Sequence, residues 1–143
     1  MTGRVFIDTN VLVYADDLDA GPKNALARTL VADALLQGTG VLSTQVLQEF
    51  FAVATRKLGV AAEVARRKVE LLAHLEVVRI DVDAILAAID LHRLHTLSFW
   101  DALIIQAAAS AGCARVFSED LQHGRTLAGV KIENPFLGLA QPG

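Results

Sequence analysis

The sequence contains a single cysteine, Cys113, which leaves it without an intramolecular disulfide partner. The small disulfide-stapled folds are therefore excluded. The sequence also lacks an excess of basic charge, because 13 Lys and Arg face 16 Asp and Glu for a formal net charge of −3. Proteins that hold nucleic acid by bulk electrostatics usually carry a basic stripe, so that class is disfavoured. A nuclease is still allowed, because bound divalent cations reverse the sign of the local field.

Long apolar runs are absent as well. Charged or polar residues interrupt the longest apolar stretches well short of the roughly 18 residues that a membrane span needs. No secretory leader is recognisable, so we expect a cytoplasmic protein that does not associate with membranes. Hydrophobic residues nevertheless make up 53% of the chain, which excludes a disordered polypeptide. Part of this apolar surplus is expected to cover a partner surface.

The spacing of apolar segments predicts one domain over residues 1–143. Strands are predicted at 4–7, within 38–42, and at 76–80, 115–117 and 130–132, the last as an edge strand. Helices are predicted at 11–15, 22–37, 44–58, 61–75, from an Asp81 or Asp83 cap to 95, and at 98–111. Strands that alternate with helices indicate a mostly parallel sheet covered on both faces, in a three-layer α/β/α domain.

Four acidic residues lie where such a sheet would bind a ligand. Asp8 follows the first strand and Asp120 follows the strand at 115–117, and ligands of parallel sheets bind beyond the carboxyl ends of the strands. Glu49 and Asp101 lie near the starts of helices. Each sits among apolar residues, where a carboxylate is costly unless it is paired or metal-bound. Because no Lys or Arg in these segments would neutralise them, convergence would raise their pKa values, and Mg²⁺ or Mn²⁺ would relieve the repulsion.

Each acid also has an ordinary structural interpretation. Asp8 can cap the following helix, and Asp101 has the spacing of a capping box with the serine three residues before it. Glu49 can be an exposed helix residue, and Asp120 can be part of a turn. Its neighbour Glu119 is assigned to solvent.

The segments around the four acids resemble the motifs of PIN-domain ribonucleases, specifically the VapC-type toxins of type II toxin–antitoxin pairs. These segments are 6–12 (FIDTNVL), 43–50 (STQVLQEF), 98–104 (SFWDALI) and 118–124 (SEDLQHG). They occur in the family order and extend over essentially the whole chain. The resemblance implies a PIN-like domain with a central, mostly parallel sheet.

The resemblance also implies a Mg²⁺-dependent endoribonuclease, with Mn²⁺ able to substitute, that hydrolyses RNA phosphodiester bonds through metal-activated water. It places Asp8 and Asp101 as the principal metal ligands, with the other two acids completing the site directly or through water. Two further side chains would orient carboxylates or water. The implied site is made of the acids Asp8, Glu49, Asp101 and Asp120 with the supporting residues Asn10 and Ser118.

Two protein partners follow from the same resemblance. A cognate antitoxin would fill an apolar groove, and the helices at 22–37 and 44–58 are its predicted walls. A homodimer would bring two sites together. With the RNA substrate, these are the partners that we expect.

Several other interpretations stay open. His92 and His95 lie three residues apart, but no cysteine or HExxH pattern accompanies them as a zinc site would require. Trp100 can stack a base, although its apolar neighbours favour packing. A phosphatase of the haloacid dehalogenase type needs a second Asp two residues after Asp8, where this chain has Asn10. A catalytically silent PIN-like binding module and a PIN nuclease of RNA processing are the remaining alternatives.

Overall fold

A computed structural model describes residues 3–139 of the chain. The six helices of this part are α1 (Thr9–Asp16), α2 (Pro22–Gln37), α3 (Thr44–Arg56), α4 (Ala62–Leu72), α5 (Val82–Leu94) and α6 (Phe99–Ser110), with a 3₁₀ turn at Leu18–Ala20. Its six strands are β1 (Val5–Ile7), β2 (Gly40–Ser43), β3 (Glu76–Val78), β4 (Arg115–Phe117), β5 (Thr126–Leu127) and β6 (Val130–Glu133). No helix within these residues is long and apolar enough to cross a membrane.

The strands form one sheet in the order β3-β2-β1-β4-β6-β5, and every pairing is parallel except that of β5 with β6. Strands β1 and β2 are buried along their whole length, as expected of strands covered on both faces. Helices flank the sheet, so the predicted α/β architecture with a mostly parallel sheet is confirmed. Strand β1 lies between β2 and β4. The chain adds β2 and β3 on one side of β1 and then crosses back to add β4 on the other side. Such a switch in strand order opens a crevice at the carboxyl edge of the sheet.

Local signals determine most of the element boundaries. Pro22 begins α2, as predicted, and the left-handed Gly38 follows the last residue of the helix. The side chains of Ser43, Asp81 and Ser98 accept backbone hydrogen bonds as the N-caps of α3, α5 and α6. At the start of β2, a Cβ on Gly40 would come within 2.8 Å of the Ala34 Cβ, so α2 and β2 pack too closely for any side chain there.

Two sequence predictions were wrong at the ends of elements. The segment at 130–132 is not an edge strand, because β6 lies between β4 and the two-residue strand β5, which forms the edge. A strand this short has no periodic signal in the sequence. Helix α1 begins at Thr9 rather than at residue 11, because Asp8 caps it directly after β1.

Candidate active site

The structure brings together the loops that follow β1 and β4. These strands pair in parallel along Val5–Ile7 and Arg115–Phe117, so Asp8 and Ser118 leave the sheet side by side. Asp8 caps α1, and its carboxylate accepts the Thr9 N–H at 2.8 Å. The prediction that Asp8 caps the helix after β1 is therefore confirmed. The cap also leaves the other carboxylate oxygen free to point across to the β4 loop.

A compact hydrogen-bond network joins the two loops. The Ser118 hydroxyl is buried and donates to Asp8 Oδ2 at 2.7 Å, while it accepts the backbone N–H of Asp120 at 3.1 Å. The Asn10 amide nitrogen lies 3.3 Å from Asp8 Oδ2, 3.3 Å from Ser118 Oγ and 3.1 Å from Asp120 Oδ2. Its amide oxygen accepts the Glu119 N–H at 3.1 Å. Asn10 therefore holds both acids and the loop between them in one arrangement.

Asp8 carries the largest electrostatic perturbation of the four acids. Burial raises its pKa to about 6, and the charges of Asp120 and Glu49 act in the same direction. The Ser118 hydroxyl and the Thr9 N–H oppose this rise. A carboxylate so placed at neutral pH is ionised at an energetic cost that a nearby cation would offset.

Glu49 and Asp101 lie on α3 and α6, on the other side of the crevice, and within residues 3–139 neither is hydrogen-bonded to Asn10 or Ser118. Glu49 is exposed on α3, where it accepts from Gln45 Nε2 at 2.7 Å and lies 3.4 Å from Thr9 Oγ1. Asp101 lies in the first turn of α6, where its backbone N–H donates to the Ser98 hydroxyl at 3.1 Å. Burial raises the pKa of Asp101, and the charge of Asp120 adds to the rise. Charge interactions therefore link Asp101 to Asp120, and Asp8 to both Asp120 and Glu49.

Glu119 corrects a prediction, because it is not a solvent-facing residue. Its carboxylate accepts from the Tyr14 hydroxyl at 2.5 Å and forms an ion pair with Lys23 at 2.7 Å. Lys23 also lies over the ring of Tyr14, which packs edge-on against Phe136. Although burial opposes the shift, Lys23 and Tyr14 lower the pKa of Glu119 below its usual range. This contact anchors the Ser118–Asp120 loop to α1 and α2, and only three-dimensional contacts reveal it.

The donor set fits a hard divalent cation. Within residues 3–139, none of the four acids forms a salt bridge with Lys or Arg, so a bound cation would face oxygen ligands without a competing positive charge. Nearby, the buried Gln45 Oε1 has no hydrogen-bond donor. In the same part of the chain, however, no three Asp, Glu, His or Cys side chains already have the arrangement of a metal site. Metal binding by Asp8, Glu49, Asp101 and Asp120 therefore stays a prediction.

The side chains of Trp100 and His92 are both exposed. Trp100 is 65% exposed, so the expectation that it packs in the core is wrong; it directly precedes Asp101 in the first turn of α6. Its carbonyl oxygen lies 3.4 Å from Gln45 Nε2, which joins the starts of α3 and α6. His92 is exposed, and its ring bonds the Leu97 carbonyl at 2.6 Å, where it caps the end of α5.

Comparisons with known proteins agree with the fold. A sequence profile of the PIN domain matches residues 5–126. No curated protein sequence gives a significant match. Among solved structures, DNA-bound VapBC from Salmonella typhimurium is similar, with a TM-score of 0.67 and 20% identity over 94% of this chain and 99% of that chain.

Two other solved structures have the same fold. VapC20 of Mycobacterium tuberculosis, described as a sarcin–ricin loop cleaving toxin, has a TM-score of 0.64 and 22% identity over 81% of this chain and 91% of that one. FitAcB from Neisseria gonorrhoeae has a TM-score of 0.66 and 17% identity over 93% of this chain and 99% of that one. At these identities the likeness establishes the fold.

Proposed function

This chain belongs to the PIN domain family, and we propose that it is a Mg²⁺-dependent endoribonuclease that acts as the toxin of a type II toxin–antitoxin pair. One observation carries the nuclease proposal: a buried Asp8 is held by Ser118 and Asn10 beside Asp120, without a Lys or Arg partner in residues 3–139. An arrangement that concentrates negative charge in a crevice is stable when a divalent cation binds there. VapC20, which has this fold, is described as a sarcin–ricin loop cleaving toxin.

Each side chain has a distinct part in this proposal. Asp8 and Asp101 would hold the metal, and Glu49 and Asp120 would complete the site directly or through water. Bound Mg²⁺ supplies a water of lowered pKa and a positive charge that stabilises the phosphate oxygens, and Mn²⁺ should substitute. Ser118 and Asn10 hold Asp8 and Asp120 in position, since Ser118 donates to Asp8 and Asn10 lies within hydrogen-bond distance of both acids.

The direct test is RNA cleavage by the purified protein. We expect cleavage with millimolar Mg²⁺ and none in excess EDTA. The variants Asp8→Asn and Asp101→Asn should keep the wild-type circular dichroism spectrum and lose more than about a thousandfold in rate, because a metal supplies several kcal/mol of stabilisation to the transition state. Full activity in EDTA, or in either variant, would overturn the metal-dependent assignment.

A silent binding module is the main alternative, and metal titration distinguishes it. A cation that binds only the folded chain raises its melting temperature. We therefore expect Mg²⁺ or Mn²⁺ to raise the melting temperature of the wild type but not that of Asp8→Asn. No shift at millimolar metal would favour the binding module.

The antitoxin would occupy the cleft between the first four helices. An apolar cavity of about 120 Å³ opens there, and Leu35 of α2 and Phe50 of α3 both line it, so the two predicted walls both contribute. Co-expression with the product of the open reading frame immediately upstream should give a stable complex that no longer cleaves RNA. Leu35→Glu should weaken the complex, whereas Leu36→Glu, at a neighbouring position that is 86% exposed, should not. A PIN nuclease of RNA processing would have no such paired gene.

A further inference from the structure

His123 lies at the carboxyl edge of the sheet, on the same loop as Asp120. The Ser118 N–H, which follows β4, donates to the Glu133 carbonyl at the end of β6 at 3.0 Å. The next backbone N–H along β6 is that of Asn134, and it donates to His123 Nδ1 at 3.0 Å. One peptide group of the chain therefore binds the start of this loop through its oxygen and the His123 ring through its nitrogen.

This hydrogen bond fixes the chemical state of the neutral ring. A backbone N–H can only donate, so Nδ1 is the bare nitrogen, and a neutral imidazole then carries its proton on Nε2. Within residues 3–139 the exposed ring makes no other hydrogen bond. Its support is a closed turn, because the Asn134 side chain accepts the N–H of the buried Phe136 at 2.9 Å. His123 therefore presents one uncharged, anchored N–H donor to solvent.

The place of His123 in the sheet order determines what this donor can reach. Asp8 follows β1, and Asn134 follows β6, which is two strands away. Neighbouring strands lie about 4.8 Å apart, so the backbone that anchors His123 is on the order of 10 Å from Asp8. A general acid or base must be within hydrogen-bond reach of the reacting atoms. His123 is therefore too distant to act on a phosphate bound at Asp8, but a neighbouring phosphate of the same strand can reach it.

We propose that the His123 Nε2–H binds a phosphate that flanks the scissile one, on the β6 side of the crevice. This inference rests on the proposed function, because it concerns the RNA substrate of the same site. Phosphate oxygens accept hydrogen bonds from neutral N–H groups, and such contacts position a nucleic acid without reading its sequence. An uncharged donor suits this loop, because a Lys or Arg here would compete with a metal ion for the Asp120 carboxylate.

Two variants separate the phosphate contact from the support of the loop. His123→Asn places an amide group near the position of Nδ1, so it keeps an acceptor for the Asn134 N–H but lacks the Nε2–H. His123→Gln reaches the position of Nε2 with an N–H but loses that acceptor. Urea unfolding should therefore leave the first variant unchanged and destabilise the second, whereas the loss of RNA affinity should follow the opposite order.

Fluorescence anisotropy with a short single-stranded RNA measures this affinity at pH 8 in Mg²⁺, in the Asp101→Asn background that should not cleave. We expect His123→Asn to raise the dissociation constant about tenfold, as for a hydrogen bond to a charged group, and His123→Gln to raise it about threefold. His74→Asn is the matched control, since the exposed His74 ring lies by the Glu70 carbonyl of α4, and it should change nothing. Wild-type affinity in His123→Asn would overturn the proposal, because the ring would then only close the loop.

Neutral linkages in the RNA identify the phosphate that is bound. A methylphosphonate is placed at one position at a time and compared with a phosphodiester at the same 2′-deoxy nucleotide. At one flanking position it should weaken binding about tenfold when His123 is present and have little effect on His123→Asn, because both changes remove the same hydrogen bond. Losses that add at every position would overturn the proposal. RNA that is cleaved with such additive losses contradicts only the phosphate contact, and RNA that is bound as expected but never cleaved by the wild type contradicts only the nuclease.

Discussion

The two sides of the acidic crevice are built differently. On one side, Asp8 and Ser118 are buried and hydrogen-bonded to each other, and Asn10 lies within hydrogen-bond distance of both Asp8 and the exposed Asp120. On the other side, Glu49 is exposed, and its contact with Thr9 is 3.4 Å long. The first side is positioned by hydrogen bonds between two loops, whereas Glu49 on the second is exposed and has Gln45 and Thr9 as its neighbours.

The two sides therefore differ in how their side chains are ordered and in how well their charges are solvated. Preorganisation removes the need to order side chains at the moment of reaction, but it holds Asp8 where its charge is poorly solvated. The open side keeps Glu49 near water and exposes Trp100, which is 65% exposed beside Asp101. Under the proposed function, the buried side would fix the position of the cation and the open side would meet the substrate.

Replacing Asp8 should have the largest effect on stability, because it removes the one carboxylate of the buried side whose charge is poorly solvated. Its pKa in the folded chain is about 6, above the 3.8 of an unperturbed Asp. The unfolded state therefore loses this proton first, and the free energy of unfolding of the wild type falls as pH rises from about 4 to about 6. Asn can still cap α1 but does not ionise.

The expected result is a pH-dependent difference between the two proteins. Without metal, Asp8→Asn should equal the wild type near pH 4 and exceed it by about 3 kcal/mol above pH 6, since each unit of pKa shift corresponds to about 1.4 kcal/mol. Urea unfolding at pH 4 and pH 7 in EDTA measures this. A stability difference that does not change with pH would show that Asp8 is not strained by its burial.

Asn10 and Gln45 offer a matched test, because each is an amide that contacts a site carboxylate. Asn10→Ala should slow RNA cleavage by about 10- to 100-fold at fixed Mg²⁺, since it positions two acids and the loop between them. Gln45→Ala should slow it less, because Gln45 contacts only Glu49 among the acids. Equal losses in the two variants would mean that the two sides are equally preorganised.

Sequence patterns could anticipate the buried side but not the contacts that support it. Asp8 and Asp120 follow strands, and the rule that parallel strands end at one edge is enough to predict that they lie close together. The supporting residues Ser118 and Asn10 were implied only by the family resemblance. Glu119 was missed because its partners Lys23 and Tyr14 lie on helices far away in the sequence. The exposure of Trp100 was missed for a related reason: its apolar neighbours predict burial, but α6 turns them inward and leaves Trp100 outside.

Trp100→Ala tests whether the open side contacts the RNA substrate. If an RNA base stacks on this exposed ring, its loss should raise KM by about tenfold and change kcat little, because stacking contributes about 1–3 kcal/mol per base. Trp100→Phe should recover most of the affinity, since the ring face is retained. Steady-state cleavage of a short single-stranded RNA separates KM from kcat. A fall in kcat with unchanged KM would place Trp100 in the support of Asp101 instead.

The smallest expected effect concerns the anchor behind the buried side. Glu119→Gln keeps the shape of the side chain but removes the charge that pairs with Lys23 and accepts from Tyr14. Because the Lys23 and Glu119 side chains are 30% and 25% exposed, the pair should contribute only about 1 kcal/mol to the free energy of unfolding. Cleavage should slow by only a few-fold, since Asn10 and Ser118 still hold Asp120. Lys23→Met should cause a similar change in both urea unfolding and cleavage, and Lys23→Arg should cause less. If the Gln variant instead lost as much activity as Asn10→Ala, the anchor rather than the Asn10 network would be what positions Asp120.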